Sequence, residues 1–209
     1  MPELTFRVDS VAVVPFAVSP QLCFSLHVAN TPPLEVIHTV VLRCQIQLDV
    51  TRRPYNPDEQ SRLSDLFGEP DRWATTLRSM LWTHVSTIVP AFSGDVTAEV
   101  MVPCTFDFNV AATKYFYGLD EGDVPVTFLF SGSIFYEDRA GALQVTPIPW
   151  DREATFRLPV RVWRELIDHY YPNVAWLALR RDVFDRLYQY KQDRGIATWE
   201  QAVEEATDA

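Results

Sequence analysis

The sequence predicts a mainly β fold: an antiparallel β-sandwich or partly closed barrel with an inserted helical pair and a C-terminal helical tail. Three observations lead there. Residues 40–50 place apolar side chains at every even position (Val40, Leu42, Cys44, Ile46, Leu48, Val50) with mostly polar ones between, the period-2 signature of a strand with one buried face. A second long alternation runs through Val96, Ala98, Val100, Val102, Cys104, Phe106, Phe108 and Val110. The strand patterns follow one another without the helix after every strand that a parallel sheet requires, so antiparallel pairing is expected.

Taken in order, residues 4–8, 12–17, 21–29 and 37–50 read as four strands. Ser19-Pro20 and Asn30-Thr31-Pro32-Pro33 make the turns, through fixed φ and local side-chain hydrogen bonds. The pattern then switches. Asn56 offers an N-cap, Pro57 a preset first helical residue, Glu59 a third-position acid and Gly68 a stop, which predicts a helix over 57–67. Trp73, Leu77, Met80 and Leu81 share a face if 70–81 is a second helix. Strands resume over 83–89 and 96–110, followed by 124–130 and 133–136, which are either two strands or one bent at Gly132. Asp138-Arg139-Ala140-Gly141 looks like a hairpin turn leading into 143–148, and 155–160 completes a series of about nine strands. Residues 1–160 are therefore expected to form the sandwich, with the helical insertion at 57–81. Beyond it, Val162, Trp163, Leu166, Ile167 and Tyr170 follow helical spacing up to Pro172. Val183, Phe184, Leu187 and Tyr188, then Trp199, Ala202 and Val203, predict two more helices, the last opened by a capping box at Thr198. No Gly- or Ser-rich linker sets this tail, 161–209, apart, so it is expected to pack on the sandwich.

Composition narrows the function. Of 209 residues 47% are hydrophobic and 22% charged, which suits a folded globular chain and excludes disorder. The net charge of −10 repels nucleic acid and anionic membranes. Seven glycines against fifteen prolines leave few loops that admit a phosphate closely, which counts against nucleotide binding. The amino terminus lacks the basic and apolar regions of a signal peptide and no apolar run is long enough to span a bilayer, so a cytoplasmic protein without membrane insertion is expected. Cys23, Cys44 and Cys104 form no Cys-x-x-Cys pair, so neither a disulfide framework nor a metal or other cofactor is expected. Cys44 and Cys104 share the apolar parity of their strands and read as small buried hydrophobes, whereas Cys23 faces away from Leu22, Phe24 and Leu26 and is the one thiol placed to react.

No residue set identifies a reaction. The histidines His27, His38, His84 and His169 are too widely spaced for a local metal motif, although strands could gather the first three. His84 shares parity with Trp82, Ser86 and Ile88, and it is the candidate ligand or metal residue against the plainer reading of a hydrogen-bonded imidazole. Ser131-Gly132-Ser133 does not supply the Gly-x-Ser-x-Gly frame of a hydrolase. If residues 107–117 run extended, Asp107 and Asn109 project opposite the phenylalanines and could meet a partner; a solvated edge strand is the plainer reading, since exposed polar residues need no special role. Of six tryptophans, Trp150 is the one expected to be exposed, between Pro149 and Asp151 in a proline-rich loop. Pro149 and Trp150 are the first candidate contact surface.

Leu42-Arg43-Cys44-Gln45-Ile46, Leu66-Phe67-Gly68-Glu69-Pro70, Leu81-Trp82-Thr83-His84-Val85, the stretch from Leu158-Pro159 through Arg164-Glu165-Leu166, and Thr198-Trp199-Glu200 resemble an uncharacterised family of actinobacterial proteins along nearly the whole chain. The resemblance implies a genomic setting near uptake nickel–iron hydrogenase genes, hence an accessory or assembly role, and names no catalytic residue. The residues themselves lead to the same expectation, a non-catalytic protein that binds another protein or itself. Two alternatives stand beside it: a small-molecule or metal-binding protein or enzyme that uses the sandwich interior with His84 and Asp107, and a homo-oligomeric scaffold component.

Overall fold

Period-2 patterning with bulky β-branched and aromatic residues on one face produces sheets that must bury that face against each other. The computed structural model describes residues 1–107, 109–138 and 140–208. Phe108 and Arg139, expected in a strand and a hairpin turn, lie outside the described residues. One antiparallel sheet has the order β1 (Glu3–Val13), β2 (Gln21–Thr31), β5 (Asp95–Pro103). The second runs β4 (Met80–Val89), β3 (Ile37–Leu48), β6 (Asp123–Glu137), with β7 (Leu143–Pro147) and β8 (Glu153–Pro159) both on the far side of β6. The two sheets do not close into a barrel.

The predicted inward residues are the ones that meet. Leu22, Phe24, Leu26 and Val28 of β2 and Leu42, Cys44 and Ile46 of β3 are buried. Phe24 meets Phe128 at 5.1 Å and Phe156 at 5.9 Å edge to face, and Phe6 stacks on Phe130 at 4.3 Å, so rings from both sheets fill the interior. Burying each such side chain is worth about 1.5–3 kcal/mol. Helices α1 (Pro57–Phe67), α3 (Val110–Gly118) and α4 (Val160–Tyr170) gather at one end of the sheets, where Phe116 stacks on Trp163 at 5.2 Å and tilts against Trp82 at 5.4 Å. Two compact units divide the chain, Met1–Asn173 and Val174–Ala209, which places α4 with the strands. The second unit contains α5 (Arg181–Asp193) and α6 (Trp199–Thr207).

Several boundaries differ from the sequence expectation, each for a local reason. The two strands expected over 4–8 and 12–17 are one strand, Glu3–Val13, with a bulge between Val8 and Ser10 that shifts the parity that suggested two, and residues 14–17 lie in the turn after it. The expected helix over 70–81 is a 3-10 turn at Pro70–Arg72 followed by the single turn α2 (Trp73–Thr76). Leu77 turns extended, and Met80 and Leu81 already belong to β4. The long alternation stops at Pro103, and from Val110 the chain is helical rather than extended. Residues 124–130 and 133–136 are one strand, and Gly132 within it has φ +138°. Where expectation and structure agree, the signals were local. Asn56 and Glu59 form a reciprocal capping box, Gly68 ends α1, and the Thr198 side chain accepts from the backbone N–H of Gln201.

Candidate functional site

An open cleft of about 880 Å³ lies where the segment before α1 meets the loop between α3 and β6. Its floor is a buried ion pair. Arg53 donates to Glu59 through both terminal nitrogens, at 2.7 and 2.9 Å, and also to the Glu121 carbonyl at 2.5 Å. Glu59 in turn accepts from the backbone N–H of Asp120 at 2.9 Å and of Asn56 at 3.2 Å. Burial pushes the Glu59 carboxyl up, but Arg53 and these two amides outweigh burial and hold it below its ordinary range. Burial works against the Arg53 cation in the same way and Glu59 overcomes it, so Arg53 is raised. Tyr55 donates to the Val50 carbonyl at 2.7 Å and lies 3.0 Å from the Tyr115 hydroxyl, and burial raises both phenols. At the rim Arg62 pairs with Asp120 at 2.5 Å, exposed Arg157 and Arg164 line the opening together with Glu121 and Asp123, and Arg164 donates to the Leu119 carbonyl.

This arrangement ties three chain segments together and keeps its acid and base locked to each other. Glu59 stays ionised and Arg53 protonated near neutral pH, so neither exchanges a proton with a ligand there. The sequence reading missed the pair because Glu59 was accounted for as a capping acid and Arg53 lies next to Arg52 in a run that looks solvated. Among the described residues, no group of three or more His, Cys, Asp and Glu is placed to hold a metal ion.

The residues expected from the sequence lie apart. His84 is exposed, its Nε2 3.2 Å from Gln45 Oε1. It does not share the side of Trp82: the register shift opposite Ile46 and Gln47 puts both Trp82 and Thr83 inward, and His84, Ser86 and Ile88 then alternate outward. Asp107 is exposed in the connection after β5, so neither residue faces the sandwich interior, which the phenylalanine rings occupy. Asn109 is the N-cap of α3. Its Oδ1 accepts from Ala112 N at 2.9 Å, and its Nδ2 donates to the carbonyls of Trp82 at 2.7 Å and Leu81 at 3.2 Å. Asn109→Ala is expected to lower stability by about 1–2 kcal/mol, because it loses the cap and strands two strand-end carbonyls. Asn109→Asp retains the cap but not the donor, and a urea midpoint for it equal to that of the wild type would show that the donor contacts contribute nothing. Burial pushes Cys44 and Cys104 up to about 12, and Cys23, raised by burial and by Glu99, is not an activated thiol.

Trp150 is 93% exposed, and Pro149 beside it is exposed too. Their loop is held at both ends: Ile148 N donates to the Gly132 carbonyl at 3.0 Å, and Phe130 N to the Arg152 carbonyl at 2.9 Å. Arg152 also pairs with Glu3 at 2.6 Å, while Ile148 is buried. The loop therefore lies along the β6 edge, two strands from β4, where Asn109 bonds. On the adjacent β7, Leu143 and Val145 are 63% and 57% exposed. Among the described residues no helix is long and apolar enough to cross a membrane.

A family model described as a family of unknown function, DUF6084, matches residues 1–209. A search of curated proteins found no match. Among solved structures, a late embryogenesis abundant (LEA) protein is similar at 14% identity, covering 76% of this chain and 72% of that one, with a TM-score of 0.35. An ApaA protein from Bordetella pertussis is similar at 15% identity, covering 75% of this chain and 93% of that one, with a TM-score of 0.29. At those TM-scores the likeness informs neither fold nor function.

Proposed function

We propose a function for this chain, which belongs over its whole length, residues 1–209, to the family of unknown function DUF6084: it is a cytoplasmic, non-catalytic accessory or assembly factor that binds another protein through the Trp150 loop. The observation that supports this is a tryptophan 93% exposed on a loop whose two ends are hydrogen-bonded to β6. Exposing an indole ring to water is unfavourable, and a loop already ordered loses little entropy when a partner covers it, which is the design of a binding hot spot. Leu143 and Val145 on β7 extend the apolar area, and the Arg152–Glu3 pair supplies a charged rim. The partner we favour belongs to a nickel–iron hydrogenase system, on the strength of the motifs shared with the actinobacterial family.

The test is affinity purification of the tagged protein from its native cell at endogenous level, with mass spectrometry of what accompanies it. A stoichiometric partner is expected with the wild type, and Trp150→Ala is expected to weaken its recovery by at least about tenfold while leaving the unfolding midpoint unchanged. A partner unconnected with hydrogenase would keep protein binding and reject the process. Recovery undiminished by Trp150→Ala would reject the loop.

A further inference from the structure

The second unit is a helical hairpin with more apolar surface than it covers by itself. α5 has no buried residue, and among the described residues of Val174–Ala209 only Ile196 and Ala202 are buried hydrophobics. Phe184, Tyr188 and Trp199 form one ring cluster, Phe184 lying 5.3 Å and Tyr188 5.9 Å from Trp199. Yet all three stay partly in water, at 43%, 45% and 37% exposure, and Val203 continues the row at 45%. The hairpin is held in shape by Lys191, which donates to the Ile196 carbonyl at 2.8 Å, and by Arg194 near Glu205 at 3.8 Å. Chains below about 40 residues seldom sustain a fold unless a disulfide, a metal or association supplements the core. This stretch contains no cysteine.

The charges indicate what covers the row. α6 and the residue after it carry Glu200, Glu204, Glu205 and Asp208 and no base. α5 with its flanking Arg180 and Arg194 carries five bases (Arg180, Arg181, Arg186, Lys191, Arg194) against three acids (Asp182, Asp185, Asp193). Glu200 and Glu204 each follow a residue of the apolar row, Trp199 and Val203, so an acidic border runs along it. Arg180 and Arg181 precede Phe184 by four and three residues and border the other row. A partner of one charge sign would suit one helix and repel the other, whereas a second copy turned about a two-fold axis presents α5 to α6 and α6 to α5 at once. We propose that two copies of this chain associate through the hairpin 174–209, α5 of each against α6 of the other, with Phe184, Tyr188, Trp199 and Val203 at the centre of the contact.

The test uses the full chain in sedimentation equilibrium. The wild type is expected to be a dimer that weakens as salt rises, since the bordering charges are screened. Glu200→Lys with Glu204→Lys puts bases on the borders of both rows, and Arg180→Glu with Arg181→Glu puts acids on both, so each variant alone is expected to lose at least about tenfold in dimer affinity. Mixed in equal amounts they are expected to form a heterodimer close to wild-type affinity, which also shows that both variants are folded. A wild type that stays monomeric at every concentration overturns the proposal whatever the variants do. So do variants that dimerise alone as the wild type does, or folded variants, judged by helical circular dichroism, that fail to pair when mixed.

Discussion

Arg53→Ala is expected to lower the unfolding free energy by about 3–5 kcal/mol, because it leaves the Glu59 carboxylate buried without its counter-ion. Both side chains are nearly out of water, at 6% and 4% exposure, so the pair is not the screened surface kind whose loss passes unnoticed. The damage extends past the pair, since Arg53 also holds the Glu121 carbonyl and Glu59 holds the Asp120 and Asn56 amides. For a chain of this size such a loss lowers Tm by roughly 10 °C. Glu59→Gln should lose less, because the neutral amide can still accept from Asp120 N. The double variant Arg53→Met, Glu59→Leu should recover most of the loss, because two apolar side chains leave no buried charge. Urea unfolding of the three variants decides the matter; an Arg53→Ala loss below about 1 kcal/mol would mean that water reaches Glu59 freely.

The same pair sets the acid limit. Glu59 has its carboxyl depressed in the folded state, so its contribution is complete above its ordinary value near 4.5 and is lost as pH falls through the lower folded value. Arg53 is raised above its ordinary value by Glu59, so its contribution would be lost only as pH rises through that folded value, outside any working range. Stability of the wild type should therefore fall more steeply below pH 4.5 than that of Glu59→Gln, with the two curves parallel between pH 6 and 8.

The strands were legible because burial on one face imposes a period, and Leu42, Cys44 and Ile46 show it without interruption. Bulges defeated the same reasoning: one at Asp9 made a single strand look like two, and the one at Trp82 gave His84 a false inward parity. Between Cys104 and Val110 apolar residues continued to alternate past the true strand end. The capping signal of Asn109, which the Ala112 amide uses, was available but was read as an exposed polar residue. Trp150 was readable from its proline-flanked loop. The Arg53–Glu59 pair was not, since the carbonyl and amide that complete it come from residues 120 and 121, more than sixty positions away.

Gly132→Ala should be among the most damaging single-methyl substitutions in this chain, with an expected loss above about 4 kcal/mol or failure to accumulate folded protein. Gly132 pairs with Leu42 inside the sheet at φ +138°, a conformation L side chains rarely adopt. A Cβ there would lie 2.0 Å from the Val41 carbonyl oxygen and 3.1 Å from its carbon, and backbone cannot swing aside as a side chain can. Its own carbonyl accepts from Ile148 N, so a shift of β6 would also loosen the Trp150 loop. The position is where β6 leaves β8 and takes up β7, and the glycine permits the close approach of β3 at that change of partner. Gly68→Ala separates conformation from collision: φ is +75° there, but nothing lies within 4 Å of the new methyl, so a loss of about 1 kcal/mol is expected. Gly118→Ala separates it from the other side, because the methyl would meet the Leu63 side chain at 2.7 Å, which can rotate away. If the Gly132 variant unfolded within about 1 kcal/mol of the Gly68 variant, strain alone would account for it and the close approach to Val41 would carry no weight.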